Sequence, residues 1–224
     1  MRDATQIALD DDGGCAVVSG QVMCWGSNHQ GLRGLGHDQP VAAVASRVPG
    51  LEGVVDLDVG KTFACALSSD GRLRCWGDLA GDDHNKPVAP TDMGITDALG
   101  VTCVGYGYCV RTRSGVGACA SRAGQPTVSI WPSDVTDVVA PIGSTHRGSC
   151  AVLGNGSVRC SGELATADIV PLVEALQRPR SLAIGDGHAC ALGADSSVVC
   201  VGDDSAGQLA TGKLLFATEP VLVP

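Results

Sequence analysis

Eleven cysteines are the residues of this 224-residue chain whose type and spacing could do chemistry. Thiolates at C-x-x-C spacing, or with histidines two to five residues away, bind zinc, whereas paired thiols of exported proteins form disulfides. The nearest approach to a zinc spacing is Cys103 with Cys109, which has no complementary ligand close by. We therefore predict no metal site and no cofactor.

Ten of the cysteines fall into five pairs, 9 or 10 positions apart: Cys15 with Cys24, Cys65 with Cys75, Cys109 with Cys119, Cys150 with Cys160, and Cys190 with Cys200. Each pair brackets two short strands around a turn rich in Gly, Asn, Asp and Ser, the residues that tight hairpins prefer. Folding the second segment over at Asp70 places Cys65 opposite Cys75, at a Cα separation of about 4.5 to 5.5 Å that a disulfide can span. We predict a cross-strand disulfide in every hairpin (15–24, 65–75, 109–119, 150–160 and 190–200), with reduced structural thiols as the alternative.

The eleventh cysteine, Cys103, lies in one of the alternating apolar strands that precede the hairpins. An alignment of these strands places it where Ala8, Asp58, Pro141 and Ala183 stand. Because a buried free cysteine behaves as a small hydrophobe, we predict a packed residue rather than a reactive thiol.

Composition indicates many short strands and excludes several functions. Hydrophobic residues make up 44% of the chain but aromatic residues only 3%, with 31 Gly and 11 Pro. The net charge of −9 opposes nucleic-acid binding, which depends on Lys and Arg. No run reaches the roughly 18 apolar residues of a membrane helix, and residues 1–6 lack the apolar core of a signal peptide.

Other polar residues are better explained by structure than by catalysis. His146 and His188 precede hairpins and form no nucleophilic triad with a Ser or Cys. The acidic runs 10–12 and 82–83 lack the alternating ligand spacing of a calcium loop. We predict that the chain is not an enzyme.

The repeated text resembles the regulator of chromosome condensation repeat family, in a cysteine-rich bacterial variety. The second repeat carries G-x-x-x-x-C-A-L-x-x-D-G-x-L-x-C-W-G from Gly60 to Gly77, and part of it returns from Gly185 to Cys200. The family loop G-D-N-x-x-G-Q-L-G matches residues 202–209 well and residues 26–35 less well. Ala120 and Ser161 replace the Trp of Trp25 and Trp76.

This resemblance implies an all-β β-propeller with blades of mostly four antiparallel strands. We count five repeats in this sequence, and we therefore expect five blades with one disulfide each, in a single domain over residues 1–224. The family's best-known members have seven blades. The final segment, 220–224, is the piece that precedes the first strand of internal repeats, and the chain begins with that strand. We therefore expect a closed ring, since closure protects strand edges. An open or partnered arc is the alternative.

We predict a non-catalytic protein-binding or scaffold module of exported type, located in the periplasm, at the cell surface or outside the cell. The long loops after the first and fifth hairpins supply the candidate contacts, because loops on a rigid scaffold commonly recognise partners. These candidates are His29, Gln30, Leu32, Arg33, Asp203, Asp204 and Gln208. The same loops could instead simply join adjacent blades. Alternative functions are a structural subunit of a cell-surface or homo-oligomeric assembly, a guanine-nucleotide exchange factor-like regulator and an enzyme inhibitor.

Overall fold

A computed structural model describes residues 2–10, 12–28, 31–34, 41–78, 89–104, 107–113, 117–120, 128–129, 134–139, 148–162, 176, 178–185, 187–212 and 216–223. These residues form antiparallel sheets, and the chain falls into two compact units, Met1–Ile130 and Trp131–Pro224. The single domain and the ring closure stay predictions. Among the described residues, none belongs to a helix long and apolar enough to cross a membrane.

The first unit contains three four-stranded sheets, and in each the strands pair in chain order. The first sheet consists of β1 (Ala4–Leu9), β2 (Gly13–Val18), β3 (Gln21–Ser27) and β4 (Val41–Arg47). The second consists of β5 (Val54–Val59), β6 (Phe63–Ser68), β7 (Leu73–Gly77) and β8 (Thr91–Asp92). The third consists of β9 (Ala98–Val104), β10 (Gly107–Thr112), β11 (Gly117–Ala120) and β12 (Val128–Ser129).

The described residues of the second unit form two more antiparallel sheets, in which the strands again pair in chain order. The fourth sheet has three strands there: β13 (Val135–Val139), β14 (Gly148–Leu153) and β15 (Val158–Gly162). The fifth sheet has four: β16 (Ser181–Ile184), β17 (His188–Leu192), β18 (Val198–Gly202) and β19 (Ala217–Leu222). Five antiparallel sheets, one for each cysteine pair, confirm the predicted all-β repeat.

All five predicted disulfides are present, one in the hairpin of each sheet. The bonds join Cys15 to Cys24, Cys65 to Cys75, Cys109 to Cys119, Cys150 to Cys160, and Cys190 to Cys200. In every sheet the two bonded cysteines are direct cross-strand partners. The alternative of reduced structural thiols is therefore wrong for these ten residues.

The bonded cysteines lie closer together than we expected. Their Cα atoms are 4.0 to 4.1 Å apart in all five pairs. In the second hairpin Ser68 N donates to Arg72 O, so alternation along the strands makes Cys65 and Cys75 a non-hydrogen-bonded pair. Residues in such a pair face each other at the shorter of the two separations that alternate along an antiparallel ladder.

The first hairpin differs by one residue in cysteine spacing because its turn has only two residues. Ser19 and Gly20 have φ of 51° and 73°, and Val18 pairs with Gln21. Positive φ at both central positions matches the twist of the flanking strands, as in type I′ turns. The 9-residue separation of Cys15 and Cys24 therefore gives the same opposed pair as a 10-residue one.

The third repeat corrects our alignment of the strand that contains Cys103. Cys65 pairs with Asp58 and Cys190 with Ala183, but Cys109 pairs with Thr102. Thr102 lies as far before Cys109 as Asp58 lies before Cys65, so Thr102 and not Cys103 is the equivalent of Asp58. Cys103 pairs with Tyr108 and takes the position of Val59. A slip of one residue exchanges the faces of a strand. Cys103 is nevertheless buried and free, as the packed-residue interpretation predicts.

Cores form where one sheet packs face to face on the next. We call the face that packs on the preceding sheet the leading face and the opposite one the trailing face. The trailing face of the first sheet packs Cys15, Val17 and Val22 against Leu57 and Trp76 of the second. A second core joins the second and third sheets, and another joins the fourth and fifth. Consecutive sheets within each unit therefore share apolar layers, as blades do.

Candidate functional site

The loops that follow β3 and β18 have the same hydrogen-bonded turn. Asn28 O accepts from Gly31 N at 3.0 Å, and Asn28 Oδ1 accepts from Arg33 N at 2.9 Å. In the fifth sheet Asp204 O accepts from Gly207 N at 3.0 Å, and Asp204 Oδ1 accepts from Leu209 N at 2.8 Å. A short side-chain oxygen thus satisfies a backbone donor five residues ahead in both loops.

Three of the predicted site residues lie inside these turns. Leu32 and Arg33 are buried, and Asp204 is fully buried with Thr211 Oγ1 donating to its second oxygen. Leu32 O also accepts a 2.6 Å hydrogen bond from Trp76 Nε1, which joins the loop of the first sheet to the second sheet. These contacts support the joining role for the first loop, and a recognition role for the three residues stays a prediction.

Asp203 and Gln208 are the predicted residues that reach the surface. Asp203 accepts from Ser205 N at 2.9 Å, from Ser205 Oγ at 3.0 Å and from Gln208 Nε2 at 3.1 Å. These bonds, led by the one from the Ser205 backbone, lower the pKa of Asp203. The loop therefore presents a fixed carboxylate beside a positioned amide. His29 and Gln30 lie outside the described residues.

A polar cavity of about 140 Å³ lies between the first and second sheets. Its lining residues are Asp10, Asp12, Gly13, Ser27, Leu32, Lys61 and Thr62. Backbone bonds brace it, because Ser27 N donates to Asp12 O at 2.9 Å and Thr62 Oγ1 donates to Asp78 O at 2.9 Å. Two carboxylates and one ammonium suit a polar or charged group about the size of one side chain.

Sequence reasoning missed most of this cavity. Lys61 and Thr62 fall on the variable positions between Gly60 and Cys65, where the repeat text carries no signal. In the sequence, Asp10 and Asp12 belong to an acidic run that suggests only calcium, and the spacing of that run argues against a calcium loop. Among the described residues, no group of three or more His, Cys, Asp or Glu is arranged to hold a metal ion. Of the five histidines, His188 is the one that these residues include, and its ring packs against Gly185.

A second polar cluster joins the first strands of the three sheets in the first unit. Gln6 Nε2 donates to Asp56 Oδ1 at 2.8 Å, and Asp56 Oδ2 accepts from Val101 N at 2.9 Å. Asp58 Oδ2 accepts from Cys103 N at 2.7 Å. Both carboxylates on β5 therefore satisfy backbone donors on an unpaired edge of β9, as buried polar groups must.

Burial perturbs both ionisable partners in this cluster. Desolvation by burial raises the pKa of Asp58 to about 6, although the hydrogen bonds from the backbone of Cys103 and Val59 act to lower it. Desolvation and the nearby Asp58 raise the pKa of the Cys103 thiol well above its usual value. A thiol held neutral is a poor nucleophile, so the pair is suited to packing and strand clamping rather than catalysis.

Repeated antiparallel sheets that pack on one another within each unit, and that each contain the same disulfide-bonded hairpin, are the blades of a β-propeller. The family model described as "Regulator of chromosome condensation (RCC1) repeat" matches residues 54–78 and 180–208. The chain is therefore similar to the RCC1 repeat family over these two segments.

Known proteins show the same similarity in sequence or in fold. The human probable E3 ubiquitin-protein ligase HERC6 is 35% identical over 97 residues, which span 39% of this chain and only 10% of that protein. Human WBSCR16 has a TM-score of 0.74 at 16% identity, covering 99% of this chain and 67% of the other. A structure of Kap60 bound to yeast RCC1 (Prp20) has a TM-score of 0.74 at 14% identity, and the match covers 99% of this chain and 61% of the other. Prp20p has also been studied for binding to Gsp1p and histones.

Proposed function

We propose that this chain is a non-catalytic, exported protein-binding module. The observation that carries the proposal is the set of five hairpin disulfides, with one buried free thiol beside them. Cytosolic reductants keep thiols reduced in most organisms, whereas the periplasm and the extracellular space allow such bonds to persist. RCC1-like propellers serve as protein-binding scaffolds, as the yeast complex with Kap60 illustrates.

Two surfaces are offered for recognition, one on each unit. On the first unit, the cavity presents Lys61 beside Asp10 and Asp12. On the second unit, Asp203 and Gln208 hold each other in place at the surface. Prearranged polar groups lose little conformational entropy on binding, which is why both surfaces suit a protein partner.

A structural subunit of an oligomeric assembly is the second candidate. The observation that favours it is the apolar leading face of the first sheet, where Ile7 and Leu9 are exposed. Scattered apolar residues are ordinary on a protein surface, but a contiguous apolar sheet face commonly marks an interaction site.

Thiol counting tests the exported character. The protein, purified from its native source and denatured without reductant, should react with one equivalent of an alkylating reagent, located at Cys103 by mass spectrometry. The Cys103→Ser variant, produced in the same way, should react with none. Eleven reactive thiols in the native material would overturn both the disulfides and the location.

Photo-crosslinking tests partner binding by the second unit. A crosslinking amino acid at the exposed position 205 should trap a discrete partner from envelope and culture fractions of the source organism. Unlabelled wild-type chain and the Asp92→Ala control should compete for that partner, whereas Asp203→Ala with Gln208→Ala should not. Equal competition by all three chains would refute recognition at this surface.

A further inference from the structure

The turn that precedes the hairpin has the same backbone hydrogen bond in the first, second and fifth sheets. In each, the N–H of the first residue donates to the carbonyl of the fourth: Asp10 to Gly13 at 2.9 Å, Gly60 to Phe63 at 2.8 Å, and Gly185 to His188 at 2.9 Å. The first and fourth positions of this turn can therefore be compared directly between the three sheets.

A flat ring fills the turn of the second sheet and that of the fifth. A Cβ atom at Gly60 would lie 2.6 Å from the ring of Phe63, and one at Gly185 would also contact the ring of His188. Phe63 is fully buried in the core between the second and third sheets. In both turns the first residue is a glycine, which leaves room for the ring of the fourth residue.

The first sheet has the opposite arrangement, because the side chain belongs to Asp10 and the glycine is Gly13. A Cβ atom at Gly13 would lie 2.8 Å from Trp25 O, closer than such atoms normally approach, so this backbone does not accept a ring there. The polar cavity of about 140 Å³ lies at this turn, with both Asp10 and Gly13 in its lining. The space beside Gly13 is therefore open to a group from another molecule.

Charge indicates what kind of group this is. Asp10 and Asp12 line the cavity together with Lys61, whose long side chain is exposed and can turn toward solvent. The chain carries a net charge of −9, so its long-range field attracts cations. A guanidinium group is both flat and positively charged, and its fork of N–H donors matches carboxylate oxygens.

We propose that the cavity binds the guanidinium group of an arginine of the protein partner, with the carboxylates of Asp10 and Asp12 as acceptors. This rests on the proposed function, since it names the chemistry that the first unit would recognise in a partner. Arginine is among the residues that most often dominate the binding energy of protein interfaces. Lys61 repels the bound cation, so it limits the affinity for arginine alone.

Nuclear magnetic resonance of the ¹⁵N-labelled, oxidised full chain tests the proposal. N-acetyl-arginine amide should shift the amide signals of Gly13, Ser27 and Thr62 in a saturable manner. N-acetyl-citrulline amide is flat but neutral, and N-acetyl-lysine amide is charged but not flat, so each should bind at least about threefold more weakly. N-acetyl-glutamate amide, which would pair with Lys61, should not saturate. Absence of a saturable shift with the arginine compound would overturn the proposal, as would equal affinity for any of the other three.

Variants locate the binding. Asp10→Asn and Asp12→Asn should each weaken binding of N-acetyl-arginine amide by at least about threefold, because each loses a charged acceptor. Lys61→Gln should strengthen it by about twofold or more, because it removes a like charge. Glu52→Gln, at an exposed carboxylate outside the cavity lining, makes the same change in net charge as the aspartate variants and should bind as wild type.

A circular dichroism spectrum identical to wild type establishes that each variant is folded. Unchanged affinity in both aspartate variants would overturn the proposal, and so would weaker binding by Lys61→Gln. Photo-crosslinking from position 61, on the same envelope and culture fractions as from position 205, separates this proposal from the proposed function. A partner trapped at position 61 without arginine binding would overturn the arginine assignment alone, whereas trapping at neither position would overturn partner binding itself.

Discussion

The leading faces of the first and second sheets have matching residue types but different surroundings. Trp76 is fully buried against the first sheet and donates to Leu32 O, whereas Trp25, at the same repeat position, is only partly buried. Leu57 and Ile7 differ in the same way. Whether a side chain at these positions is buried therefore depends on the neighbouring sheet and not on the residue type. This is expected where each repeat contacts only its neighbours.

The largest expected difference in stability is between variants of the two tryptophans. Trp76→Ala should reduce the free energy of unfolding by about 3 to 5 kcal/mol, since it leaves a cavity and an unpaired Leu32 carbonyl. Trp25→Ala should cost only about 1 kcal/mol, because solvent already reaches its side chain. Urea unfolding followed by far-ultraviolet circular dichroism measures both. Equal losses would contradict the comparison.

Leu57 and Ile7 provide a second test of the difference in burial between the two leading faces. Leu57→Ala should cost roughly 2 to 4 kcal/mol, as for other fully buried leucines. Ile7→Ala should cost less than about 1 kcal/mol, because most of the Ile7 side chain is already exposed to solvent. Urea unfolding of both variants measures the two losses. Equal losses would contradict the difference in burial between the two faces.

Sequence reasoning succeeded where a short-range rule governs the structure. Hairpin turns define the local register, so the opposition of Cys65 to Cys75 followed from counting residues about Asp70. The same reasoning failed for Cys103, because the apolar alternation of the strand can be aligned in either register. Only the strand pairing shows that Thr102, and not Cys103, is the equivalent of Asp58.

Burial of the candidate site residues depends on contacts that lie further apart. Arg33 is equivalent to Leu209, because Arg33 N donates to Asn28 Oδ1 as Leu209 N donates to Asp204 Oδ1. This equivalence could not be recognised before the hydrogen bonds of the two turns were known. The exposure of Ile7 was also beyond prediction, since Ile7 and Leu57 look alike in sequence and differ in that the first sheet covers Leu57.

The junction that buries Leu57 also contains a carboxylate that should give it a pH dependence. Desolvation raises the pKa of Asp58 to about 6 from a usual value of 3.8, so the folded chain binds this proton more tightly than the unfolded chain. The contribution of Asp58 to stability is therefore greatest below about pH 4, falls as the pH rises to about 6 and is constant above. The shift corresponds to roughly 2 to 3 kcal/mol.

Asp58→Asn should remove this slope, because an amide does not titrate. Although the variant loses an acceptor for Cys103 N, its stability relative to wild type should improve by roughly 2 to 3 kcal/mol between about pH 4 and pH 7. Glu219→Gln, at an exposed carboxylate, is the control and should follow the wild-type curve. Thermal unfolding across this pH range provides the measurement, and parallel curves for Asp58→Asn and wild type would refute the assignment.

The smallest effect comes from the loop that covers Trp76. Arg33 is buried, its Nη2 donates to Ser46 Oγ at 3.2 Å, and its Nε has no hydrogen-bond partner among the described residues. Arg33→Leu adopts the residue type of the equivalent Leu209 and removes a buried unsatisfied donor, so it should stabilise the chain by about 1 kcal/mol. The reverse exchange, Leu209→Arg, should destabilise it by several times more, because it places a charge in a fully buried site. Melting temperatures measure both, and a destabilised Arg33→Leu variant would show that the guanidinium has a favourable role that its described contacts do not explain.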